Sequence, residues 1–174
     1  MTTTPKDFEI RPATEGDAPL ILSFIKKLAV YEKLAHRVTA TEDILRETLF
    51  GERRYAEVVI GYHLGEPVGF ALFFHNYSTF LGKPGIYLED LFVDEEHRGK
   101  GFGKALLIYL ARLTKERNCG RLEWAVLNWN EPSINFYKAL GAAPMNEWTV
   151  FRMTGDALDK LASGVGSGEW GVGG

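Results

Sequence analysis

The sequence holds a single cysteine, Cys119, in 174 residues. No internal disulfide is possible, an extracellular disulfide framework is excluded, and a cytoplasmic location is expected. Long apolar runs are also missing: no stretch approaches the roughly 18 uncharged residues that span a bilayer, so no membrane partner is expected. The start, Met1-Thr-Thr-Thr-Pro5-Lys6-Asp7, has no apolar signal core. Charge of one sign is scarce, with 20 basic against 23 acidic residues and a formal charge of −3. That balance gives no general pull toward nucleic acid, and none is expected as a partner. His36, His63, His75 and His97 show no metal-ligand spacing, so no metal is expected. Cys119 ends a helical pattern beside Gly120 with no recognisable base partner, which argues against a thiol nucleophile.

What is present is an ordinary globular composition, 45% hydrophobic and 25% charged. The length fits one domain, taken as residues 1–162, followed by a Gly-rich tail at 163–174 that still carries Val165, Trp170 and Val172. Phe8 to Arg11 alternates as a short strand. Leu20, Ile21, Phe24, Ile25, Leu28 and Ala29 form the stripe of an amphipathic helix behind an N-cap at Thr14. Thr41 to Phe50, closed by Gly51, reads as a second helix. Strands are expected over Ala56–Leu64, Val68–Tyr77 and Ile86–Val93, then a helix over Phe102–Arg117. A strand over Arg121–Leu127, a helix over Pro132–Leu140 and a last strand over Trp148–Met153 complete the order. The order predicts an α/β fold with a mixed sheet and helices on both faces.

The strongest chemical signal runs from Leu91 to Lys104, where a strand leads through a polar turn into glycines that open a helix. The first helical turn has unpaired N–H groups and a positive dipole end, and Gly99, Gly101 and Gly103 let a phosphate approach the backbone. Arg98, Lys100 and Lys104 add positive charge, so the segment suits a pyrophosphate. It is not a Walker A loop, because Gly103-Lys104 is followed by Ala105. Nor is it a dinucleotide fingerprint, because Lys104 stands where G-x-G-x-x-G needs its last glycine.

Arg98-x-x-Gly101-x-Gly103 matches the R/Q-x-x-G-x-G/A signature of GNAT acetyltransferases. Tyr87-Leu-Glu89-Asp90-Leu-Phe-Val93, Asn130-Glu-Pro-Ser-Ile-Asn-Phe-Tyr137-Lys138 and Tyr31-Glu32 closely resemble the spermidine/spermine and thialysine acetyltransferase family. The resemblance covers roughly Phe8 to Met153. It implies a mostly antiparallel twisted sheet with a V-shaped split, acetyl-CoA as cosubstrate, and a homodimer. It further implies that the backbone of Leu91, Phe92 and Val93 pairs with the pantetheine arm. The loop Arg98 to Lys104, including Phe102, holds the pyrophosphate, and Asn130 with the turn to Ser133 completes the cofactor wall.

Acetyl transfer needs a neutral amine, so a proton acceptor is required. An alkyl amine of pKa about 10.4 costs about 4.6 kcal/mol to deprotonate at pH 7. Glu89 and Asp90 are neighbours on a strand, whose geometry is expected to point them to opposite faces. The resemblance assigns Glu89 as base, with Tyr31, Glu32, Glu89 and Asp90 against the amine. It assigns Tyr137 as general acid, and a phenol is already protonated at neutral pH. The loop Asn76 to Lys83 lacks the acid that polyamine-selective members carry there, so a lysine-like, thialysine-like or diamine substrate is preferred over spermidine or spermine. Two rivals remain: a CoA-binding sensor without catalysis, and an acetyltransferase of proteins or peptides.

Overall fold

The structure is a computed structural model describing residues 4–164. The chain divides into two compact units, Met1–Trp129 and Asn130–Gly174.

The first unit is a five-stranded sheet in the order β1-β2-β3-β4-β5. Its strands are β1 (Phe8–Pro12), β2 (Glu57–His63), β3 (Glu66–Ser78), β4 (Lys83–Val93) and β5 (Leu122–Trp124). The first four are antiparallel neighbours, and β5 joins β4 in parallel after a helical crossover. Helix α1 (Ala18–Tyr31) follows a short 3-10 turn that Thr14 and Asp17 close: the Thr14 backbone N–H donates to the Asp17 carboxylate at 2.7 Å. The expected second helix is present, from its N-cap Thr41 to its C-cap Gly51, but changes its winding midway. Helix α2 (Glu42–Leu45) passes into a π-helical turn at Arg46–Phe50. Helix α3 (Phe102–Glu116) fills the crossover.

Side-chain alternation gives the sheet two buried faces. Ile21, Phe24 and Leu28 of α1 pack with Val58, Ile60, Phe70 and Phe92 in one cluster. Val59, Ala71, Phe73, Ile86 and Leu88 are buried with the opposite parity, on the face that α3 covers with Leu106 and Leu110. Phe102 stacks on Phe8 at 4.5 Å, which closes that face at the start of α3.

In the second unit, α4 (Glu131–Ala139) is capped by Asn130, whose side chain accepts from the Ser133 N–H, and Pro132 lies in its first turn. Helix α5 (Gly155–Ala162) was not anticipated, although Thr154 precedes it and Leu158 and Leu161 lie three apart. Two expected strands are corrected. The one over Arg121–Leu127 shortens to Leu122–Trp124, and Trp148–Met153 forms no strand. A strand exists through its neighbour, and the described part of this unit has no second strand to pair with; Trp148, Val150 and Phe151 stay exposed. Alternation in the sequence records a two-faced segment but not what it pairs with. Residues 165–174, with Val165, Trp170 and Val172, lie outside the described residues. Among the described residues no helix is long and apolar enough to cross a membrane.

Candidate active site

β4 carries the site because its two edges end at different places. Its ladder with β3 runs to Val93, while the parallel ladder with β5 stops at Leu88. Over Glu89–Val93 the strand has a β neighbour on one side only, and the sheet splits there. The Asp94 N–H bonds the Val68 carbonyl of β3 at 2.8 Å. Because backbone groups alternate along a strand, Phe92 also turns its N–H and C=O toward β3, while Leu91 and Val93 present theirs to the split. Phe92 contributes its ring to the core instead.

The split leads into the glycine turn. Gly99 and Gly101 have φ of +76° and +83°, the left-handed region that a Cβ disfavours. Gly101 is the N-cap of α3 and supplies no side-chain cap; the first helical bond is Ala105 N–H to the Gly101 carbonyl at 2.9 Å. The N–H groups of Phe102, Gly103 and Lys104 therefore precede the helical ladder and point along its axis. A Cβ built on Gly103 meets only Val93 Cγ2, at 3.8 Å, so nothing in the fold itself requires glycine there. The geometry fits a phosphate group held by backbone N–H groups at the positive end of a helix dipole. Lys100 and Lys104 lie on this turn and make no ion pair among the described residues. Arg98 differs: its Nε donates to the Val93 carbonyl at 2.9 Å, and its guanidinium lies 4.8 Å from the Tyr31 ring centroid and 5.5 Å from that of Phe92.

The adjacent acids of β4 depart from simple strand geometry. Leu72 faces Asp90 and Phe73 faces Leu88, so Glu89 is the extra residue of a β-bulge. Asp90 shares a face with Leu72, on the α1 side of the sheet, and is half-buried, while Glu89 is exposed. Opposite-face alternation, expected from the sequence, does not describe this pair. Burial, reinforced by the charges of Glu89 and Glu32, pushes the Asp90 carboxyl up to about 6. Burial and then Glu89 raise Glu32 as well. Three carboxylates thus feel one another: Glu32 at the end of α1, Glu89 on the bulge and Asp90 beside it. An empty cluster of this kind is strained by like charge, and an ammonium group relieves it. The negative end of α1, which closes at Glu32, favours a cation further.

The sequence marks the place of the bulge but not the bulge itself. Leu88-Glu89-Asp90-Leu91 sets two acids in an apolar strand, and the register against β3 then shows Glu89 as the extra residue. The packing of Arg98 on Tyr31 carried no such signal, since the two lie far apart in sequence. Tyr137 sits on α4 beside Phe136, with ring centroids 5.6 Å apart, and its carbonyl accepts from the Ala142 N–H at 3.1 Å. Asn130, Ser133 and Tyr137 are thus fixed by one short capped helix.

The acetyltransferase (GNAT) family profile matches residues 25–142, more than half of the chain. This chain belongs to the GNAT acetyltransferase family. It is 40% identical over 164 residues to thialysine N-epsilon-acetyltransferase of Bos taurus, covering 88% of this chain and 96% of that protein. It is 35% identical over 197 residues to L-ornithine N5-acetyltransferase NATA1 of Arabidopsis thaliana, covering 87% and 86%. Among solved structures, an integron cassette protein from the mobile metagenome of V. cholerae aligns with a TM-score of 0.76 at 28% identity, over 90% of this chain and 98% of that one. The mixed sheet open at β4 is the GNAT fold, and the chain is an N-acetyltransferase, an enzyme that moves an acetyl group to an amine. GNAT enzymes take that group from acetyl-CoA, and the turn from Val93 to Lys104 has the donors its pyrophosphate requires.

Proposed function

We propose that this chain acetylates a primary amine of a lysine-like or diamine small molecule, with acetyl-CoA as donor and both bound together. The observation that carries the reading is the convergence of Glu32, Glu89 and Asp90 beside the free edge of β4. The names of the thialysine and ornithine relatives support it: both describe a primary amine at the end of an amino-acid side chain. Spermidine or spermine is the second reading, and a spermidine/spermine N(1)-acetyltransferase-like protein of Homo sapiens is 33% identical over 174 residues.

Acetyl-CoA supplies the thioester carbonyl that the amine attacks. Leu91 and Val93 offer strand-like hydrogen bonds along the split, and the backbone of Gly99 to Lys104, with Lys100 and Lys104, holds negative charge. Asn130 and Ser133 are assigned to acetyl-CoA as well. Tyr31 and Glu32 meet the amine, and the carboxylates draw its cation in. Glu89 accepts the proton that leaves the nitrogen, and Asp90, whose carboxyl burial pushes up to about 6, lies beside it. Tyr137 gives a proton to the departing sulfur. The bond from carbonyl carbon to sulfur breaks as the bond to nitrogen forms, and a free thiol and an amide leave.

The reading extends to a cytoplasmic location and to a homodimer, the latter supported by Trp148, Val150 and Phe151, apolar side chains that are exposed. Pre-steady-state mixing tests the order of events. A ternary mechanism gives no thiol burst when acetyl-CoA meets the enzyme without amine, whereas a stoichiometric burst contradicts direct attack.

A further inference from the structure

Arg98 belongs to the family signature, yet its side chain is turned away from a purely phosphate-facing role. Its Nε holds the Val93 carbonyl at 2.9 Å, one of the groups that β4 presents to the split. Its planar guanidinium lies over the ring of Tyr31, 4.8 Å from the centroid, and near that of Phe92. Tyr31 is the last residue of α1, directly before Glu32, and its ring lies 6.1 Å from that of Trp129. A second tie runs in the same register. Lys27, one turn earlier on α1, donates to Asp94 at 2.7 Å, while Asp94 anchors the turn by bonding Val68 through its N–H. The same face of α1 therefore grips both ends of the Asp94–Arg98 turn.

We propose that Arg98 is a positioning residue that ties the amine-recognising end of α1 to the cofactor-pairing edge of β4, so that filling one half of the site firms the other. The inference rests on the reading of Glu32 and its neighbours as the amine site. Its physical basis is differential contact. When an amine settles Glu32, Tyr31 is held in place, and Arg98 is held over it. The guanidinium then keeps the Val93 carbonyl and the following glycine turn in the geometry that phosphate needs. Lysine cannot substitute, because an ammonium lacks the flat face that stacks while an edge N–H donates.

The test uses the full chain with three single variants, Arg98→Lys, Tyr31→Leu and Tyr31→Phe, and one double variant. Steady-state kinetics varies acetyl-CoA and a diamine, and calorimetry measures CoA binding with and without saturating diamine. The diagnostic readouts are the crossed ones. Arg98→Lys is expected to raise the diamine KM about three- to tenfold, and Tyr31→Leu to weaken CoA binding by a similar factor. Tyr31→Phe keeps the ring and is expected to keep CoA affinity. In the double variant Arg98→Lys/Tyr31→Leu the losses overlap instead of multiplying. An Arg98→Lys enzyme with an unchanged diamine KM, or losses that multiply, overturns the tie and leaves Arg98 as a phosphate-side cation. If the wild-type chain turns over no amine, the reading of the site fails; CoA affinity in Tyr31→Leu against Tyr31→Phe still decides the tie, equal affinities overturning it. The same pair decides if Arg98→Lys does not fold.

Discussion

Asp90 has the most perturbed carboxyl of the site, and its effect on stability has a definite sign. Its folded value, about 6, lies above the ordinary 3.8 because burial and the charges of Glu89 and Glu32 favour the neutral form. Below the ordinary value both states carry the proton and no penalty exists. As pH rises the unfolded chain ionises first, so stability is lost up to about pH 6 and stays lost above it. The loss is at most about 3 kcal/mol. Asp90→Asn is therefore expected to stabilise the free enzyme above pH 6 and to flatten its pH dependence relative to wild type, as read by urea melts at pH 4.5 and 7.5. Parallel pH profiles would show that Asp90 is solvated. Tyr137→Phe removes one hydroxyl and should leave acetyl-CoA affinity intact while turnover falls about 10²–10⁴-fold; near wild-type turnover would make the phenol structural. Both residues were legible as candidates by type and neighbourhood. The proximity of Glu32 to Glu89 and Asp90 was not derivable from spacing, since the helix and the bulge that join them are distant in sequence.

The turn that opens α3 was the most legible element, because glycine has few reasons to recur at 99, 101 and 103 where a helix begins. The structure separates those reasons. Gly99 and Gly101 satisfy a left-handed backbone, so a branched residue at either position strains the fold before it affects any ligand. Gly103 lies inside the helix with only Val93 near a new Cβ. Gly103→Val is therefore the cleaner variant: stability should hold within about 0.5 kcal/mol, while acetyl-CoA affinity falls tenfold or more because the added methyls meet the phosphate. Unchanged affinity in a folded Gly103→Val enzyme would remove the cradle. The bulge at Glu89 shows the opposite case. Strand periodicity put Glu89 and Asp90 on opposite faces, and only the register against β3, Leu72 to Asp90 and Phe73 to Leu88, reveals the inserted residue. The absent strand at Trp148–Met153 fails for a related reason: pairing is a property of two segments, and the sequence of one does not contain it.

For the whole molecule, the fold was readable because its order of elements leaves few topologies: antiparallel strands first, then a parallel crossover through α3. Assembly was less so. Sedimentation of the full chain and of a form ending at Ala162 is expected to show a dimer for the full chain; a monomer at micromolar concentration would refute the homodimer. Equal dimer strength in both forms would leave the Gly-rich tail without a part in assembly. Acetyl transfer from acetyl-CoA to a small primary amine is decided by one turnover panel. Purified enzyme is given acetyl-CoA with thialysine, ornithine, a diamine, spermidine or a lysine peptide, and thiol release is matched to product mass. One acetyl group per thiol released is expected, with the lysine-like amines and the diamine ahead of spermidine and the peptide last. Tight acetyl-CoA binding with no acetylated product from any small amine would contradict it.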